Sequence, residues 1–161
     1  MIKDKIKTLE EVVHIAEMAR RQEKKIVTAN GCFDILHIGH VINLEFAKSQ
    51  GDILIVGLNS DAWVKENKGP NRPINSQDNR IRVIAALECV DYAFVFDYTP
   101  LEWIPEIRPN FQVKSKDVES HPNFLPEKNK VEKCGGQVVL SPHVEGQSTS
   151  NIIAKIKKTQ E

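Results

Sequence analysis

Short apolar runs alternate with helical patterns along most of this chain, and this alternation restricts the fold more than any other feature. The run Ile53-Leu54-Ile55-Val56-Gly57-Leu58 has no polar residue at alternate positions, which is typical of a parallel strand covered on both faces. Similar apolar runs occur at four other places, 26–28, 93–96, 111–113 and 138–140. We therefore predict an α/β fold built on a doubly wound parallel sheet of about five strands, with helices on both faces.

Helical patterns fill the segments between these runs. The first, at about 8–23, begins at Thr8-Leu9-Glu10-Glu11, where Thr8 and Glu11 have the spacing of a capping box. Other helical patterns lie at 39–49, 77–88, 101–107 and 125–133, and a last one follows Ser148. Because 161 residues suffice for about one domain, we predict a single domain over 1–161, with the N-terminal helix ahead of a core at about 25–158.

Charge and cysteine content exclude several function classes. Lys and Arg together number 22, as do Asp and Glu, which argues against a general nucleic-acid or membrane-surface binder. Cys32, Cys89 and Cys134 are widely spaced and indicate neither a disulfide framework nor a cysteine zinc site. Since the sequence has no signal-peptide pattern and no apolar run of membrane-spanning length, we expect a cytoplasmic protein.

The strongest candidate site follows the first predicted strand. His37-Ile38-Gly39-His40 opens the next predicted helix, and a helix N-terminus attracts phosphate through its free N–H groups and its dipole. Gly39 would let the backbone approach a ligand closely, and imidazoles can donate hydrogen bonds to phosphoryl oxygens. A zinc site made of Asp34, His37 and His40 is a weaker alternative, because no further ligand stands at metal spacing.

The segment Asn30-Gly31-Cys32-Phe33-Asp34-Ile35-Leu36-His37-Ile38-Gly39-His40 resembles the signature of the cytidylyltransferase-like nucleotidyltransferases. The segment Arg72-Pro73-Ile74 is similar to the branch that adenylylates D-glycero-β-D-manno-heptose 1-phosphate. The resemblance, which runs from about Thr8 to Lys155, implies a Rossmann-like sheet. It also implies that an NTP and a phosphate monoester give an NDP-linked product and pyrophosphate.

The resemblance implies roles for individual residues. His37 and His40 would act on the triphosphate. Mg²⁺ would bridge the phosphates, and no protein ligand for it is assigned. The nucleotide site would contain Asn30, Gly31, Cys32, Phe33, Gly39, His40, Lys114, Ser148 and Thr149. The acceptor site would contain Asn59, Asp61, Lys68 and Arg72.

Two basic residues complete the predicted catalytic group. Arg80 shares a helix face with Val83, Ile84 and Leu87, and we expect its guanidinium to point along the sheet edge toward the site rather than only to cover apolar surface. Arg82 faces another side. Lys48 follows His40 by two helical turns; pattern alone equally favours a surface lysine, and the resemblance favours a contact with phosphate.

Three segments carry alternatives. Ser148-Thr149 could cap a helix, bind phosphates, or do both. Asp61 could cap a short helix, whereas Lys68 and Arg72 lie in a Gly/Pro/Asn segment that we interpret as a mobile lid, with an exposed basic loop as the alternative. Lys114-Ser115-Lys116-Asp117-Val118 stands where the heptose branch typically has Lys-Gly-Gly-Asp-Tyr, so this segment could change the nucleotide or acceptor preference.

The expected partners are an NTP and a small phosphorylated acceptor, with no nucleic acid and no membrane. We expect a separate kinase to supply the acceptor, and relatives of this kind are usually dimers. A CTP-dependent enzyme acting on a polyol phosphate is an alternative within the class. A nucleotide-binding regulatory module with weak turnover is an alternative from another class.

Overall fold

The structure, a computed structural model, describes residues 1–159, so the last two residues of the predicted domain lie outside the described part. The helices are α1 (Ile2–Lys5), α2 (Leu9–Arg21), α3 (Ile38–Ser49), α4 (Asp61–Lys68), α5 (Gln77–Ala85), α6 (Pro100–Ile107), α7 (Phe124–Lys133) and α8 (Thr149–Lys158). The strands are β1 (Ile26–Gly31), β2 (Ile53–Asn59), β3 (Tyr92–Phe96), β4 (Phe111–Ser115) and β5 (Gln137–Ser141). A 3-10 helix, Lys116–Ser120, follows β4 directly.

All five strands pair in parallel, in the order β3-β2-β1-β4-β5. The predicted parallel sheet of five strands is therefore confirmed. The chain builds the sheet outward from β1 to β3 and then returns to place β4 on the other side of β1. In such sheets, ligands bind outside the carboxyl ends of the strands where this reversal occurs, which here is the edge above β1 and β4.

The alternation of side chains along the strands creates a core on each face. Leu54 and Val56 of β2 face one core, whereas Ile55 faces the other. The first core includes Leu44 of α3 and Ile84 of α5. The second is covered by the helices α2, α6 and α7, through Val12, Ala16, Trp103, Ile104 and Val131 among others. Helices on both faces, as predicted, give the sheet its two buried sides.

The predicted and observed boundaries differ in informative places. The helix predicted at 77–88 ends at Ala85, and the short helix expected after Asp61 extends to Lys68. The 3-10 helix after β4 was not predicted. Within residues 1–159, no helix is both long and apolar enough to cross a membrane.

Candidate active site

Two neighbouring cavities lie above the carboxyl ends of β1 and β4. The smaller, which we name the histidine cavity, has a volume of about 270 Å³. The larger, which we name the amide cavity, has a volume of about 400 Å³. The histidine cavity is lined by Asn30, Gly31, Phe33, His37, Gly39, His40, Asn43, Ser115, Asp117, Val118, His143, Val144, Gln147, Ser148 and Thr149. The amide cavity is lined by Asn30, Gly31, Cys32, Asn59, Trp63, Asn67, Lys68, Thr99, Pro100, Leu101, Lys114, Val118, His121, Asn123, Phe124, Pro126 and Glu127.

The two imidazoles of the histidine cavity stack on one another. Their ring centroids are 3.7 Å apart, with an angle of 26° between the planes. The Nδ1 atoms of His37 and His40 are both buried and have no hydrogen-bond partner. Burial, with a smaller contribution from His37, lowers the pKa of His40 to about 4, and burial also lowers the pKa of His37. Both rings are therefore neutral at pH 7, and each offers one N–H donor.

Gly39 leaves room for the ring of His37. A Cβ at position 39 would lie 3.0 Å from Nδ1 of His37 and 3.1 Å from its Cε1, so a side chain there would require the ring to shift by a few tenths of an ångström. Gly39 was expected to admit a ligand near the backbone, and the structure adds a second reason for a glycine at this position. The ring of Phe33 supports the pair from the core side, with its centroid 5.1 Å from that of His40.

Two helix N-termini converge on the histidine cavity. His37 is the N-cap of α3 and Ser148 the N-cap of α8, and both line this cavity. The first turns of α3 and α8 contain no acidic residue, whereas each of the other six described α-helices has Asp or Glu there. The positive ends of these two helix dipoles are therefore not neutralised by their own sequence, which favours an anion in the cavity.

Ser148 and Thr149 have structural partners as well as positions in the cavity wall. The hydroxyl oxygen of Ser148 accepts a hydrogen bond from the Asn151 backbone N–H at 3.0 Å, which is the predicted N-cap. The Thr149 hydroxyl donates to the Ile35 carbonyl at 3.4 Å. The cap and the phosphate interpretations are thus compatible at this position.

Asn30 lies at the junction of the two cavities, and a polar chain fixes its amide. Its Oδ1 accepts from Gln112 Nε2 at 2.6 Å and from Lys114 Nζ at 3.2 Å. Gln112 is fully buried and is itself held by the hydroxyl of Thr28. Because Oδ1 already has two donors, the Asn30 amide nitrogen is left to donate toward a ligand.

The amide cavity combines amide groups with a buried ion pair. Lys114 Nζ lies 2.6 Å from Glu127 Oε2, and the two side chains are 12% and 8% exposed. Four Asn side chains, Trp63 and Lys68 form part of the remaining wall, and apolar side chains such as Leu101 and Phe124 form another part. Cys32 is held by a long contact of 3.7 Å between its Sγ and Asn59 Oδ1, and burial raises the pKa of its thiol despite nearby cations.

The role expected of Arg80 has to be corrected. Its side chain is buried, and it donates to the backbone carbonyls of Cys32, Asn59 and Asn75 as well as to Asp61. Ile84 of the predicted apolar face is buried with Arg80, whereas Val83 of that face is 46% exposed. The four acceptors hold the guanidinium inside the framework. Arg80 links the ends of β1 and β2 to α4, and is a positioning residue.

The predicted lid is held in place by Asp34. The carboxylate of this buried residue accepts from the backbone N–H groups of Ile74 and Asn75 at 2.9 Å, and from Arg72 Nε at 2.6 Å. Burial acts to raise the pKa of Asp34, but these donors outweigh it and hold the pKa below its usual value. Arg72 is thus engaged in the framework, and only Lys68 of the supposed lid lines the amide cavity.

The structure does not bring every predicted residue to the crevice. Lys48 lies at the opposite edge of the sheet, where its Nζ is 2.6 Å from Asp91 Oδ2 and 2.7 Å from the Asp52 carbonyl. Two turns of helix carry Lys48 about 12 Å away from His40 along α3, so we remove it from the catalytic group. Asp61 binds Arg80 and lines neither cavity. Within the described residues, no group of three His, Cys, Asp or Glu is arranged to hold a metal. The carboxylate of Asp34, one member of the zinc alternative, is engaged by Arg72 and by the backbone N–H groups of Ile74 and Asn75.

Sequence reasoning missed Gln112 and Glu127 and misjudged the segment after β4. Gln112 sits within a predicted strand, and Glu127 in the first turn of a predicted helix, where an acid ordinarily complements the dipole. Ser115 and Asp117 line the histidine cavity, whereas Lys116 is exposed and lines neither cavity. The only sequence signal for this segment was its departure from the heptose-branch pattern.

Sequence comparison identifies relatives of this chain among known proteins. The chain is 46% identical over 153 residues to the bifunctional protein HldE of Syntrophotalea carbinolica, and 47% identical over 153 residues to that of Geobacter metallireducens. In each comparison the match covers 94% of this chain but 31% of the relative, so the chain spans about a third of the length of these curated relatives.

Solved structures with lower sequence identity also resemble this chain. The lipopolysaccharide core biosynthesis protein of Thermoplasma volcanium is 26% identical, with a TM-score of 0.62 over 75% of this chain and 97% of that one. The pantoate-beta-alanine ligase of Francisella tularensis, at 16% identity and a TM-score of 0.62 over 97% of this chain and 78% of that one, supports the fold alone. The family model described as cytidylyltransferase-like matches residues 28–155, from β1 into α8. That span contains both cavities, the stacked histidines and the sheet reversal, and the chain belongs to the cytidylyltransferase-like family.

Proposed function

We propose that this chain is a nucleotidyltransferase that moves the adenylyl group of ATP to D-glycero-β-D-manno-heptose 1-phosphate and releases pyrophosphate. Family membership and the HldE relatives support the reaction class. The heptose acceptor is supported by the Arg72-Pro73-Ile74 segment and by the likeness to a lipopolysaccharide core biosynthesis protein.

The single observation that carries the proposal is the meeting of the two cavities at Asn30 and Gly31. A transfer between two bound substrates requires their reacting atoms to be in contact and in line. The histidine cavity, with two helix N-termini whose first turns carry no acidic residue, suits the triphosphate. The amide cavity, with Lys68 and Lys114, suits a phosphorylated acceptor. This proposal moves Cys32 and Lys114, which the resemblance placed in the nucleotide site, to the acceptor side, because they line the amide cavity and not the histidine cavity.

The chemistry is an in-line displacement at phosphorus. An oxygen of the acceptor phosphate forms a bond to the α-phosphorus of ATP, and the bond from that phosphorus to the bridging oxygen breaks, so that pyrophosphate leaves with the electron pair. The nucleophile is already ionised at neutral pH, and no general base is needed. The N–H groups of His37, His40 and Asn30 stabilise the charge that builds on phosphoryl oxygens.

Magnesium enters as part of the nucleotide substrate. Mg²⁺ keeps several waters and is commonly held by one or two carboxylates together with substrate phosphates. The lack of a three-ligand cluster among residues 1–159 fits an ion that the triphosphate carries.

The acceptor has to be phosphorylated before this step, so a kinase reaction precedes it. The relatives are called bifunctional and are about three times as long as the matched segment. We propose that a kinase makes the acceptor, and that the enzyme works as a homodimer in the cytoplasm.

The test is a pyrophosphate-release assay of the chain with Mg²⁺, each of the four NTPs, and a panel of sugar and polyol phosphates. ATP with heptose 1-phosphate should give the highest kcat/KM. Preference for CTP with a polyol phosphate would replace the proposal with its first alternative. Nucleotide binding without pyrophosphate release from any pair would favour a regulatory module.

A further inference from the structure

Glu127 is a buried carboxylate that the proposed reaction does not use. It lies in the first turn of α7 and lines the amide cavity, and its residue exposure is 6%. Acidic side chains are rarely this buried unless something compensates their charge. The Lys114 ammonium compensates one oxygen, Oε2, at 2.6 Å. Among the described residues, Oε1 accepts no hydrogen bond, and it is not one of the atoms that are both buried and unpaired, so it is open to the cavity.

The surroundings of Glu127 are suited to hydroxyl groups. Amide side chains of Asn30, Asn59, Asn67 and Asn123 line the same cavity, and Trp63 adds an apolar aromatic surface. Amides both donate and accept, and a carboxylate accepts from hydroxyls. The same wall contains apolar side chains from Pro100, Leu101, Val118, Phe124 and Pro126. A sugar phosphate suits this mixture, because its hydroxyl groups can pair with the amides and the carboxylate while its ring carbons pack against the apolar part.

Charge determines how such a ligand is oriented. Lys114 lies between Asn30, at the junction of the cavities, and Glu127. A phosphate close to Glu127 would be repelled, whereas near Lys114 and Asn30 it meets a cation and an amide donor. The phosphate of an acceptor therefore lies at the junction, and its hydroxyl groups lie toward α7.

We infer that Glu127 is a specificity-determining residue, whose free carboxylate oxygen accepts a hydrogen bond from a hydroxyl group of a sugar phosphate bound in the amide cavity. This inference rests on the proposed function, because it takes the acceptor to occupy that cavity. Sites that hydrogen-bond a substrate hydroxyl discriminate sharply against analogues that lack it.

The test compares Glu127→Gln with the unchanged protein on heptose 1-phosphate and on analogues that each lack one hydroxyl. For one analogue, the unchanged protein should lose at least tenfold in kcat/KM. On that analogue alone, the kcat/KM of Glu127→Gln should lie within about twofold of the kcat/KM of the unchanged protein. If Glu127 only holds Lys114, the ratio of kcat/KM between the unchanged protein and Glu127→Gln will be the same for every acceptor. That result would overturn the inference.

Controls separate this inference from the proposed function and from misfolding. Glu132→Gln changes an exposed acid on the same helix, in a loose pair with Lys128 at 3.9 Å, and should leave every ratio unchanged. If Glu127→Gln does not fold, as judged by circular dichroism, Glu127→Asp keeps the charge beside Lys114 while withdrawing the carboxylate, and the same comparison applies. Absence of turnover by the unchanged protein with every acceptor would contradict the proposed function instead.

Discussion

The histidine cavity and the amide cavity share a wall, but the imidazoles of the first lack a hydrogen-bond partner at Nδ1, whereas the central charged groups of the second are paired with each other. In the histidine cavity, two imidazoles are neutral and unpaired at Nδ1, and two helix N-termini lack acidic residues. In the amide cavity, the charged Lys114 is already paired with Glu127. We therefore expect the histidine cavity, with its helix dipoles and neutral imidazoles, to bind a triphosphate with little regard to the base. We expect the amide cavity, with its paired and hydrogen-bonded side chains, to select a ligand by its shape and hydroxyl pattern.

The largest expected effect comes from Arg80, which supports the amide cavity from below. Arg80→Ala leaves three backbone carbonyls without their donor, whereas the half-exposed Asp61 can be solvated; the loss of these bonds should lower the free energy of unfolding by about 3–5 kcal/mol. Arg82→Ala, at an exposed position on the same helix, should change it by less than about 0.5 kcal/mol. Urea unfolding of both variants measures the difference.

The same pair of variants also tests how the two cavities differ. Cys32 and Asn59, which Arg80 holds, line only the amide cavity. Any folded Arg80→Ala protein should therefore lose more affinity for the acceptor than for ATP, measured by calorimetry. Equal effects of Arg80→Ala and Arg82→Ala on stability and on both affinities would show that the role of Arg80 is misassigned.

The stacked histidines should affect turnover more than folding. His37→Ala and His40→Ala each remove one donor to the phosphoryl oxygens and should lower kcat by about 10²-fold or more. His14→Ala, on α2 and outside both cavities, is the matched control and should leave kcat unchanged. A pyrophosphate assay with a circular-dichroism melt on each variant measures this, and near-normal kcat in both site variants would show that the triphosphate lies elsewhere.

The depressed histidine pKa values predict how stability changes with pH. The pKa of His40 is about 4 in the folded chain, against an ordinary value of 6.5, so between these values the unfolded chain binds a proton that the folded chain does not. The free energy of unfolding should therefore fall as the pH is lowered from 6.5 to 4.5, with His40 contributing on the order of 2 kcal/mol. Urea unfolding at several pH values should show a smaller fall in His40→Asn, and an equal fall would contradict this assignment.

The smallest effect is expected from the unusual segment after β4. The sequence suggested that Ser115 and Lys116 change the nucleotide or acceptor preference, which would require a shift of about tenfold, or about 1.4 kcal/mol, when both become glycine. Because Lys116 is exposed and lines neither cavity, Lys116→Gly alone should change the ATP to CTP ratio of kcat/KM by less than about twofold. Any larger change in that ratio should come from Ser115→Gly, because Ser115 lines the histidine cavity.

The sequence predicted the fold well because the fold depends on local patterns. The unbroken apolar run of β2 and the histidine motif at the start of α3 identify a buried parallel strand and a helix N-terminus without reference to the rest of the chain. The burial of Arg80 also followed from its helix face. The acceptors of Arg80 did not, because Cys32 lies 48 positions away in the chain.

The errors in the predicted site have the same origin. Lys48 was placed near the phosphates because the resemblance favoured that contact over the surface lysine that the pattern equally allowed, but α3 carries it away from the crevice to Asp52 and Asp91. The mobility expected of the segment around Arg72 followed from its composition, and the buried carboxylate of Asp34 that holds it is separated by 38 positions. Glu127 was missed because its partner, Lys114, belongs to another element.

The assignment of one substrate to each cavity is tested most directly by backbone amide chemical shifts during separate titrations. A non-hydrolysable ATP analogue with Mg²⁺ should shift the amides of His37, His40, Ser148 and Thr149, and heptose 1-phosphate should shift those of Asn59, Lys68, Lys114 and Glu127. Asn30 and Gly31, which line both cavities, should respond to each ligand. Heptose 1-phosphate shifting the histidine set while leaving Lys114 and Glu127 unchanged would contradict the two-cavity assignment.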